Sequence, residues 1–281
     1  MSSASYSGFF LSAQQLWSLI GTPQAPMIFD VRRREIYDAA PGLVPTATWR
    51  EPESYAQWVP ALSGGKPIVL MCHYGHNLSQ MVAADLRQRG IAAQVLEGGY
   101  QAWAEAGLPL TAKSALERFV PKSPSLWVTR RRPKIDRVAC PWLIRRFIDA
   151  DARILYVDPP EVANVAQDTG AIPFDIEGVE ISHEGERCSF DTMLRLFGLE
   201  GDPHLARLAL IVRGADTARY DLAAEAAGLH AVSLGLSALA GDDDHGLLSQ
   251  GFVVYDAFFA WARHAADERH NWPAKQTERA A

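Results

Sequence analysis

The first part of the chain contains three short apolar segments, each of which is adjacent in sequence to a segment with helical spacing. They read PMIFDV, KPIVLMC and AAQVLEG. Helical spacing precedes the first over LSAQQLWSLIG, where Ser12 is a candidate N-cap, and it follows the other two over 79–89 and 100–106. Apolar strands that alternate with helices favour a parallel sheet with helices on both faces. This pattern predicts an α/β domain.

The pattern changes after this domain. The segment TAKSALERFVPKSPS holds two prolines and three serines, and it predicts a linker with one helical turn. Strands are then predicted at 126–129 and 153–157, among helices at 142–149, 190–197, 205–212, 222–227 and 253–264. The sequence therefore predicts a helix-rich α+β second domain. The resulting division is a first domain at 1–112, a linker at 113–125, a second domain at 126–266 and a polar tail at 267–281.

Composition narrows the class of protein. The net charge of −6 argues against nucleic acid as a partner unless a local basic patch exists. Three widely spaced cysteines imply no disulfide framework and favour a reducing compartment. The N-terminal segment lacks a basic region and a long apolar run, and no stretch is apolar enough to span a membrane. We expect a soluble cytoplasmic protein with no membrane partner.

Cys72 stands where the strand KPIVLMC gives way to a helix. If the loop CHYGHN curls around the sulfur, its backbone N–H groups and the positive end of the helix dipole favour a thiolate. Gly75 permits the positive φ that such a loop requires, and His73 and His76 add hydrogen-bond donors. The same loop would hold the outer sulfur of a persulfide. The alternative is a structural cysteine that behaves as a small buried hydrophobe.

The first domain resembles the rhodanese family. The resemblance rests on FDVRRREIYDAAPGLVPTA, KPIVLMCHYGHNLSQMVAADLRQRGI and AAQVLEGGYQAWAEAGLPL, in the family's order. It implies a thiosulfate sulfurtransferase-like enzyme in which Cys72 takes sulfur from a small donor, forms a persulfide and passes the sulfur to an acceptor thiol, without a cofactor. The implied site comprises the nucleophile Cys72, the loop residues His73, Tyr74, Gly75, His76 and Asn77, and the supporting residues Asp30 and Arg32.

Asn77 departs from the family pattern, which has an arginine at this position of the loop. An amide cannot bind an anionic donor with the charge and two-pronged geometry of a guanidinium. His76 would have to replace the positive charge, and Arg32 and Arg33, after another strand end, are expected to line the pocket. The same departure keeps open a domain that only binds and does not catalyse.

The second domain opens with a basic run, VTRRRPKIDRVACPWLIRR. Pro141 suits the first position of a helix, which would make Cys140 the N-cap and create an oxyanion site among arginines. The alternative is a solvated charged face. Further on, His183, Cys188 and a carboxylate offer mixed metal ligands, although a hairpin with surface charge explains them equally well. In IVRGADT, Gly214 suggests a sharp helix exit, and Arg213 with Asp216 suggests either a buried ion pair or a catalytic pair.

This domain resembles the C-terminal domain of the ChrB-type chromate-resistance family. TRRRPKIDRVACPWLIRRFID, IPFDIEG, ISHEGERCSFD and IVRGADT carry the resemblance from about Trp127 to Trp261. The family's name implies lower chromate accumulation or regulation of the response, while the chemical role and any metal stay open. The basic run and the fusion make chromate or sulfate a candidate ligand. The candidate oxyanion or metal-binding residues are Arg130, Asp136, Arg137, His183, Asp191, Arg213 and Asp216.

Three functions follow from these features. The leading one is a persulfide-forming sulfurtransferase fused to a chromate-resistance domain. The second is an oxyanion- or metal-responsive regulator whose first domain senses redox state, and the third is an inactive binding module.

Overall fold

The computed structural model describes residues 8–59 and 65–268. The predicted polar tail beyond residue 268 and the first seven residues of the N-terminal segment lie outside this description. Within the described ranges, no helix is both long enough and apolar enough to cross a bilayer.

The first domain is built on a five-stranded sheet in the order β1-β6-β5-β2-β4, in which every neighbouring pair is parallel. The paired strands are β1 (Phe10–Leu11), β2 (Met27–Asp30), β4 (Thr48–Trp49), β5 (Ile68–Met71) and β6 (Ala93–Leu96). A separate antiparallel pair joins β3 (Gly42–Leu43) to β7 (Thr111–Ala112). The helices are α1 (Ala13–Leu19), α2 (Arg34–Asp38), α3 (Tyr55–Trp58), α4 (Asn77–Gln88) and α5 (Gly99–Glu105).

Successive side chains of β5 point to opposite faces of this sheet. Val69 and Met71 belong to a core that includes Leu16 of α1 and Trp103 of α5. Ile68 and Leu70 point into a second core with Val82, Ala83 and Leu86 of α4. Because both faces are covered, the strands are apolar throughout. The predicted α/β fold, with helices on both faces of a parallel sheet, is confirmed.

The predicted linker begins as a helix. α6 (Lys113–Phe119) is two turns long, and the Lys113 ammonium donates to the carbonyl oxygens of Tyr37 (3.1 Å) and Asp38 (2.9 Å). These contacts hold the start of the segment against the first domain. The single helical turn predicted here was too short.

The second domain is helix-rich, as predicted, around a three-stranded parallel sheet in the order β10-β8-β9. Its strands are β8 (Leu126–Arg130), β9 (Arg153–Val157) and β10 (Ile172–Pro173). Its helices are α7 (Asp136–Leu143), a π-helical turn (Ile144–Ile148), a 3₁₀ turn (Pro159–Glu161), α8 (Val162–Thr169), α9 (Ser189–Leu196), α10 (Pro203–Asp216), α11 (Ala226–Ala240) and α12 (Asp244–His264).

The start of α7 contradicts the sequence interpretation. Pro141 lies inside the helix, so Cys140 is not an N-cap and its thiol is not at a helix N-terminus. Proline is tolerated there because the carbonyl of Arg137, which loses its helical donor, accepts a hydrogen bond from the Tyr156 hydroxyl at 2.9 Å. The helix therefore starts five residues earlier, at Asp136.

Gly214 also has a different role from the one predicted. α10 continues to Asp216, so the chain makes no sharp exit at Gly214. A Cβ on Gly214 would lie 2.8 Å from the Cβ of Ala226, the first residue of α11. The glycine lets two helices pack closely.

The two domains share one hydrophobic core. The Phe147 ring of the second domain packs against Trp17 of the first (ring centroids 6.2 Å apart) and against Phe259 (5.4 Å). A Cβ on Gly21, just after α1, would come within 2.6 Å of both phenylalanine rings. Backbone hydrogen bonds cross the same boundary, including Ala112 N–H to the Phe197 carbonyl at 2.9 Å. The domains therefore pack as one body.

Candidate functional site

Cys72 lies directly after β5, the middle strand of the five-stranded sheet. It is 6% exposed. α4 begins at Asn77, two residues before the predicted start, and Gly75 adopts the expected positive φ of 69°. The loop between strand and helix is therefore a tight turn with the sulfur at its base.

A glycine pair in the next strand-to-helix connection holds this loop. The N–H groups of Tyr100 and Gln101, in α5, donate to the carbonyls of Cys72 and His73, both at 3.0 Å. A Cβ on Gly99 would overlap the Cys72 carbonyl oxygen, and one on Gly75 would lie 2.5 Å from the Leu96 carbonyl oxygen. The first two carbonyls of the loop thus bond to α5.

The backbone N–H groups of the loop are left available. Within the described part of the chain, those of residues 73–79 donate to no other group. The first N–H groups of a helix have no partner inside the helix and attract negative charge. The Ser79 hydroxyl lies 3.2 Å from the Cys72 sulfur. This arrangement suits a sulfur anion.

Ser79 was not among the predicted site residues. The family pattern places a serine one position earlier, at the site of Leu78. Ser79 is buried on the first turn of α4, and its hydroxyl also donates to the His76 carbonyl at 3.1 Å. The signal available in the sequence was a serine within one position of the expected one.

Asp30 and Arg32 form a buried ion pair beside this loop. The guanidinium contacts the carboxylate through Nη2 (2.6 Å to Oδ2) and through Nε (2.9 Å to Oδ2 and 3.0 Å to Oδ1). Its Cζ also lies 3.8 Å from the centroid of the Tyr100 ring. The Nη1 atom is buried without a hydrogen-bond partner. Because a buried donor without a partner is costly, Nη1 suggests a place for an anionic ligand.

A cavity of about 440 Å³ borders both the Cys72 loop and Arg32. Its lining includes Cys72 and two basic side chains of the β2–α2 connection, Arg32 and Arg33. The other lining residues are Ile36, His73, Tyr74, His76, Asn77 and Leu78. All the predicted loop residues except Gly75 thus border the cavity, with Tyr74, His76 and Asn77 exposed.

A second polar cluster lies in the second domain and contains five of the seven predicted residues. His183 Nε2 is 3.1 Å from Asp216 Oδ2 and 3.6 Å from both Asp136 Oδ2 and Asp175 Oδ1. Arg130 Nη2 and Arg137 Nε contact Asp175 Oδ2 at 2.9 and 3.4 Å. We call Asp136, Asp175, His183 and Asp216 the carboxylate–histidine cluster.

Electrostatic repulsion is strong in this cluster. Burial, followed by the charges of Asp216 and Asp175, raises the pKa of Asp136 well above its ordinary value. Burial and the charge of Asp175 also raise the pKa of Asp216. The carboxyl groups therefore compete for the positive charge available to them.

Asp191 and Arg213 stand apart as a pair. The Arg213 guanidinium donates to both Asp191 oxygens, at 2.7 and 2.9 Å, so the partner of Arg213 is not Asp216 as the sequence suggested. Asp191 also accepts from the Cys188 thiol (3.3 Å) and backbone N–H (3.0 Å). Burial and the charge of Asp136 raise the pKa of the Cys188 thiol well above normal. The Cys188 thiol thus contacts Asp191, whereas the ligand atoms grouped with His183 belong to Asp136 and Asp175.

Most arginines of the basic run contact acidic or carbonyl groups. Arg130 and Arg137 contact Asp175, and Arg131 contacts Asp158 and Asp242. Arg146 pairs with Asp256, and Arg145 donates to the Ala152 carbonyl. These five guanidinium groups therefore already have partners in the protein.

Comparisons with known proteins agree with this division into two parts. Residues 12–106 match the rhodanese-like domain family, and residues 127–262 match the family described as ChrB, C-terminal domain. Protein ChrB of Cupriavidus metallidurans is 40% identical over 128 residues, which are 46% of this chain and 38% of that protein. The match thus spans less than half the length of that relative.

Solved structures resemble the first domain. A rhodanese-related protein of Thermoplasma volcanium is 23% identical with a TM-score of 0.33, covering 37% of this chain and 97% of that one. A rhodanese-like domain protein of Staphylococcus aureus is 24% identical with a TM-score of 0.32, covering 37% and 100%. A thiosulfate sulfurtransferase of Pseudomonas aeruginosa is 26% identical with a TM-score of 0.31, covering 36% and 18%.

Proposed function

Because the chain joins a rhodanese-like domain to a ChrB C-terminal domain, we propose that its first domain is a sulfurtransferase that carries sulfur as a persulfide on Cys72. The observation that carries this proposal is the position of the Cys72 sulfur. Cys72 lines an open cavity and begins a loop in which the backbone N–H groups of residues 73–79 have no partner among the described residues.

The reaction needs no redox partner or cofactor. The Cys72 thiolate, its proton lost to solvent, attacks the outer sulfur of a donor such as thiosulfate. A new S–S bond forms, the S–S bond of the donor breaks, and sulfite leaves with that electron pair. An acceptor thiolate then attacks the outer sulfur of the persulfide and regenerates the Cys72 thiolate.

The loop and Ser79 stabilise the charge that appears in these steps. The outer sulfur of a persulfide is anionic, and the N–H groups of residues 73–79 offer it several donors. The Ser79 hydroxyl lies 3.2 Å from the sulfur and would turn its hydrogen from the His76 carbonyl to the Cys72 thiolate before attack and after transfer. The fixed position of these donors lowers the cost of reorganisation during reaction.

Arg32 replaces part of the role that the family assigns to the loop arginine. Asn77 is exposed at the cavity wall and carries no charge. Arg32 lines the same cavity, and its buried Nη1 has no partner in the described protein. A charge-assisted hydrogen bond from Nη1 would bind the anionic end of the donor. His73 and His76, which also line the cavity, add donors to the anion.

The wider setting that we propose is chromate resistance, through the resemblance to protein ChrB. A reducing compartment such as the cytoplasm is part of the proposal, since Cys72, Cys140 and Cys188 are all unpaired. The pairing of the arginines at 130–146 with acidic or carbonyl groups weighs against the oxyanion-binding and nucleic-acid-binding alternatives.

Mass spectrometry after incubation with thiosulfate tests the proposal. We expect a gain of about 32 Da, one sulfur atom, that dithiothreitol removes and that is absent from Cys72→Ser. Ser79→Ala should slow sulfur uptake roughly threefold to tenfold, because it removes one hydrogen bond to the sulfur. Ser18→Ala, on the surface of α1, is the matched control and should react at the normal rate.

Two results would count against a sulfurtransferase. One is the absence of a sulfur adduct with thiosulfate and with organic persulfide donors. The other is an adduct that persists in Cys72→Ser. Either result would favour a binding module or a redox sensor, for which the cavity would have to recognise something other than a sulfur donor.

A further inference from the structure

The second domain brings three carboxylates around one imidazole, and from this arrangement we propose a binding site for a divalent transition-metal ion, separate from the Cys72 cavity. Its ligands are the carboxylate–histidine cluster: Asp136, Asp175, His183 and Asp216. They come from four different places in the chain: the start of α7, the segment after β10, the loop before α9, and the end of α10.

The distances inside the cluster match those between ligands of one ion. Metal–oxygen and metal–nitrogen bonds of 2.0–2.1 Å place adjacent ligand atoms about 3.0–3.4 Å apart in octahedral or tetrahedral geometry. His183 Nε2 lies 3.1, 3.6 and 3.6 Å from oxygens of Asp216, Asp136 and Asp175. One atom from each of Asp136, Asp175 and His183 lies within 4.8 Å of the other two. Small side-chain adjustments would seat an ion.

Asp136 provides an independent indication of a ligand. Its side chain is 1% exposed, and Oδ2 accepts a hydrogen bond from the Ser189 N–H at 2.7 Å. Oδ1 is buried and has no hydrogen-bond partner in the described protein. A buried carboxylate oxygen without a partner carries a large desolvation cost. A metal ion between Asp136 and His183 would remove that cost.

The arginines beside the cluster leave two of its carboxyl groups without an arginine partner among the described residues. The guanidinium groups of Arg130 and Arg137 contact only Asp175 of the three. A divalent ion bound at Asp136 and Asp216 would take the place of that partner, and neutral imidazole is the form in which histidine binds metals.

The surroundings of the ligands resemble the outer shell of a metal site. Ser189 holds two ligands at once, through its N–H to Asp136 and its hydroxyl to Asp175 Oδ1 at 2.8 Å. Such hydrogen bonds orient carboxylate ligands. A cavity of about 360 Å³ reaches Asp175 and the half-exposed His183, so an ion can enter from solvent.

The donor set selects the class of ion. Three carboxylates and one imidazole suit Mn²⁺, Fe²⁺ or Zn²⁺, whereas Mg²⁺ and Ca²⁺ prefer oxygen ligands throughout. Cys188 is close in sequence but its thiol donates to Asp191, so we expect no thiolate ligand. The site would therefore bind Zn²⁺ and Mn²⁺ more tightly than Mg²⁺.

Calorimetric titration of the chelator-treated full chain with Zn²⁺ and with Mn²⁺ tests the proposal. We expect about one equivalent bound and a metal-dependent rise in the melting temperature. Asp136→Asn and His183→Ala should each weaken binding by about tenfold or more. Asp168→Asn and His264→Ala, which change exposed groups elsewhere, are matched controls and should bind like the wild type.

A Co²⁺-loaded sample gives a second readout. We expect weak visible bands without the intense near-ultraviolet band of a thiolate–cobalt bond, both in the wild type and in Cys72→Ser. Because His183 is half-exposed, His183→Ala should keep the metal-free melting temperature, which separates lost ligation from misfolding. The proposal is overturned if neither Zn²⁺ nor Mn²⁺ binds, if His183→Ala binds normally, or if Cys72→Ser loses the ion. These outcomes are independent of sulfur transfer.

Discussion

The three cysteines occupy two kinds of environment. Cys72 borders a cavity, whereas Cys140 and Cys188 are fully buried. Burial, followed by the charge of Asp136, raises the pKa of both buried thiols well above normal. A thiol needs both access and ionisation to react. Among these residues, only Cys72 has access.

Thiol alkylation in the native state tests this difference. At pH 8 we expect iodoacetamide to modify Cys72 alone, because the raised pKa keeps Cys140 and Cys188 protonated and burial excludes the reagent. In denaturant all three should react. Peptide mapping identifies the modified positions, and native labelling of Cys140 at a rate similar to Cys72 would contradict the burial.

At the level of elements, two strand-to-helix connections support each other. The β5–α4 loop carries Cys72, and the β6–α5 turn at Gly98 and Gly99 accepts that loop against its backbone. Both glycines have positive φ, and the surrounding backbone leaves no room for a side chain at Gly99. The position of the sulfur therefore depends on a turn more than twenty residues away in the chain.

Two glycine substitutions separate backbone strain from steric overlap. Gly99 (φ 62°) and Gly90 (φ 77°) both have left-handed backbones, but a Cβ at Gly90 meets nothing within 4 Å. Gly90→Ala should cost about 1–2 kcal/mol of unfolding free energy and leave sulfur uptake unchanged. Gly99→Ala should cost more and reduce sulfur uptake at least about tenfold, because it displaces the Cys72 carbonyl. Urea unfolding and the mass assay measure these effects, and equal losses in the two variants would be inconsistent with this packing.

At the level of the whole molecule, side-chain packing holds the two domains together in addition to the covalent connection between them. Trp17 and Gly21 of the first domain contact Phe147 of the second, and α6 packs between them. Arg263, at the end of α12, donates to the Ile20 carbonyl at 2.9 Å. An interface with this much apolar contact couples the stability of the two domains.

Truncation of one interface side chain tests this coupling. Phe147→Ala should reduce the unfolding free energy by about 3–5 kcal/mol, since it removes a fully buried ring. We expect a single urea transition for both domains, shifted as a whole. Leu239→Ala, at an 84% exposed position, should change stability by less than about 0.5 kcal/mol. Separate transitions for Cys72 accessibility and for helix content would mean that the domains unfold independently.

The sequence by itself determined the first domain and its chemistry to a large extent. Apolar strands in alternation with helices specify a parallel sheet, and Cys72 followed by Gly75 specifies a turn at a strand end, because these are local patterns. The second domain was harder to predict from the sequence, since the apolar residues of helices such as α8 and most of α11 follow a weak helical pattern. Pro141 appeared to be a helix start because the group that bonds to the Arg137 carbonyl in place of an N–H at position 141 is the Tyr156 hydroxyl, which comes from β9.

Only the tertiary structure decided which side chains meet. His183 and Asp216 are separated in sequence by two helices, α9 and α10, yet their side chains are 3.1 Å apart. Arg213 pairs with Asp191 and not with its neighbour Asp216. Nothing local distinguishes these pairings, because helix packing between α7, α9 and α10 sets them. Residue type and spacing predict which groups are able to react or bind, whereas the long-range contacts of the core determine which of them share a site.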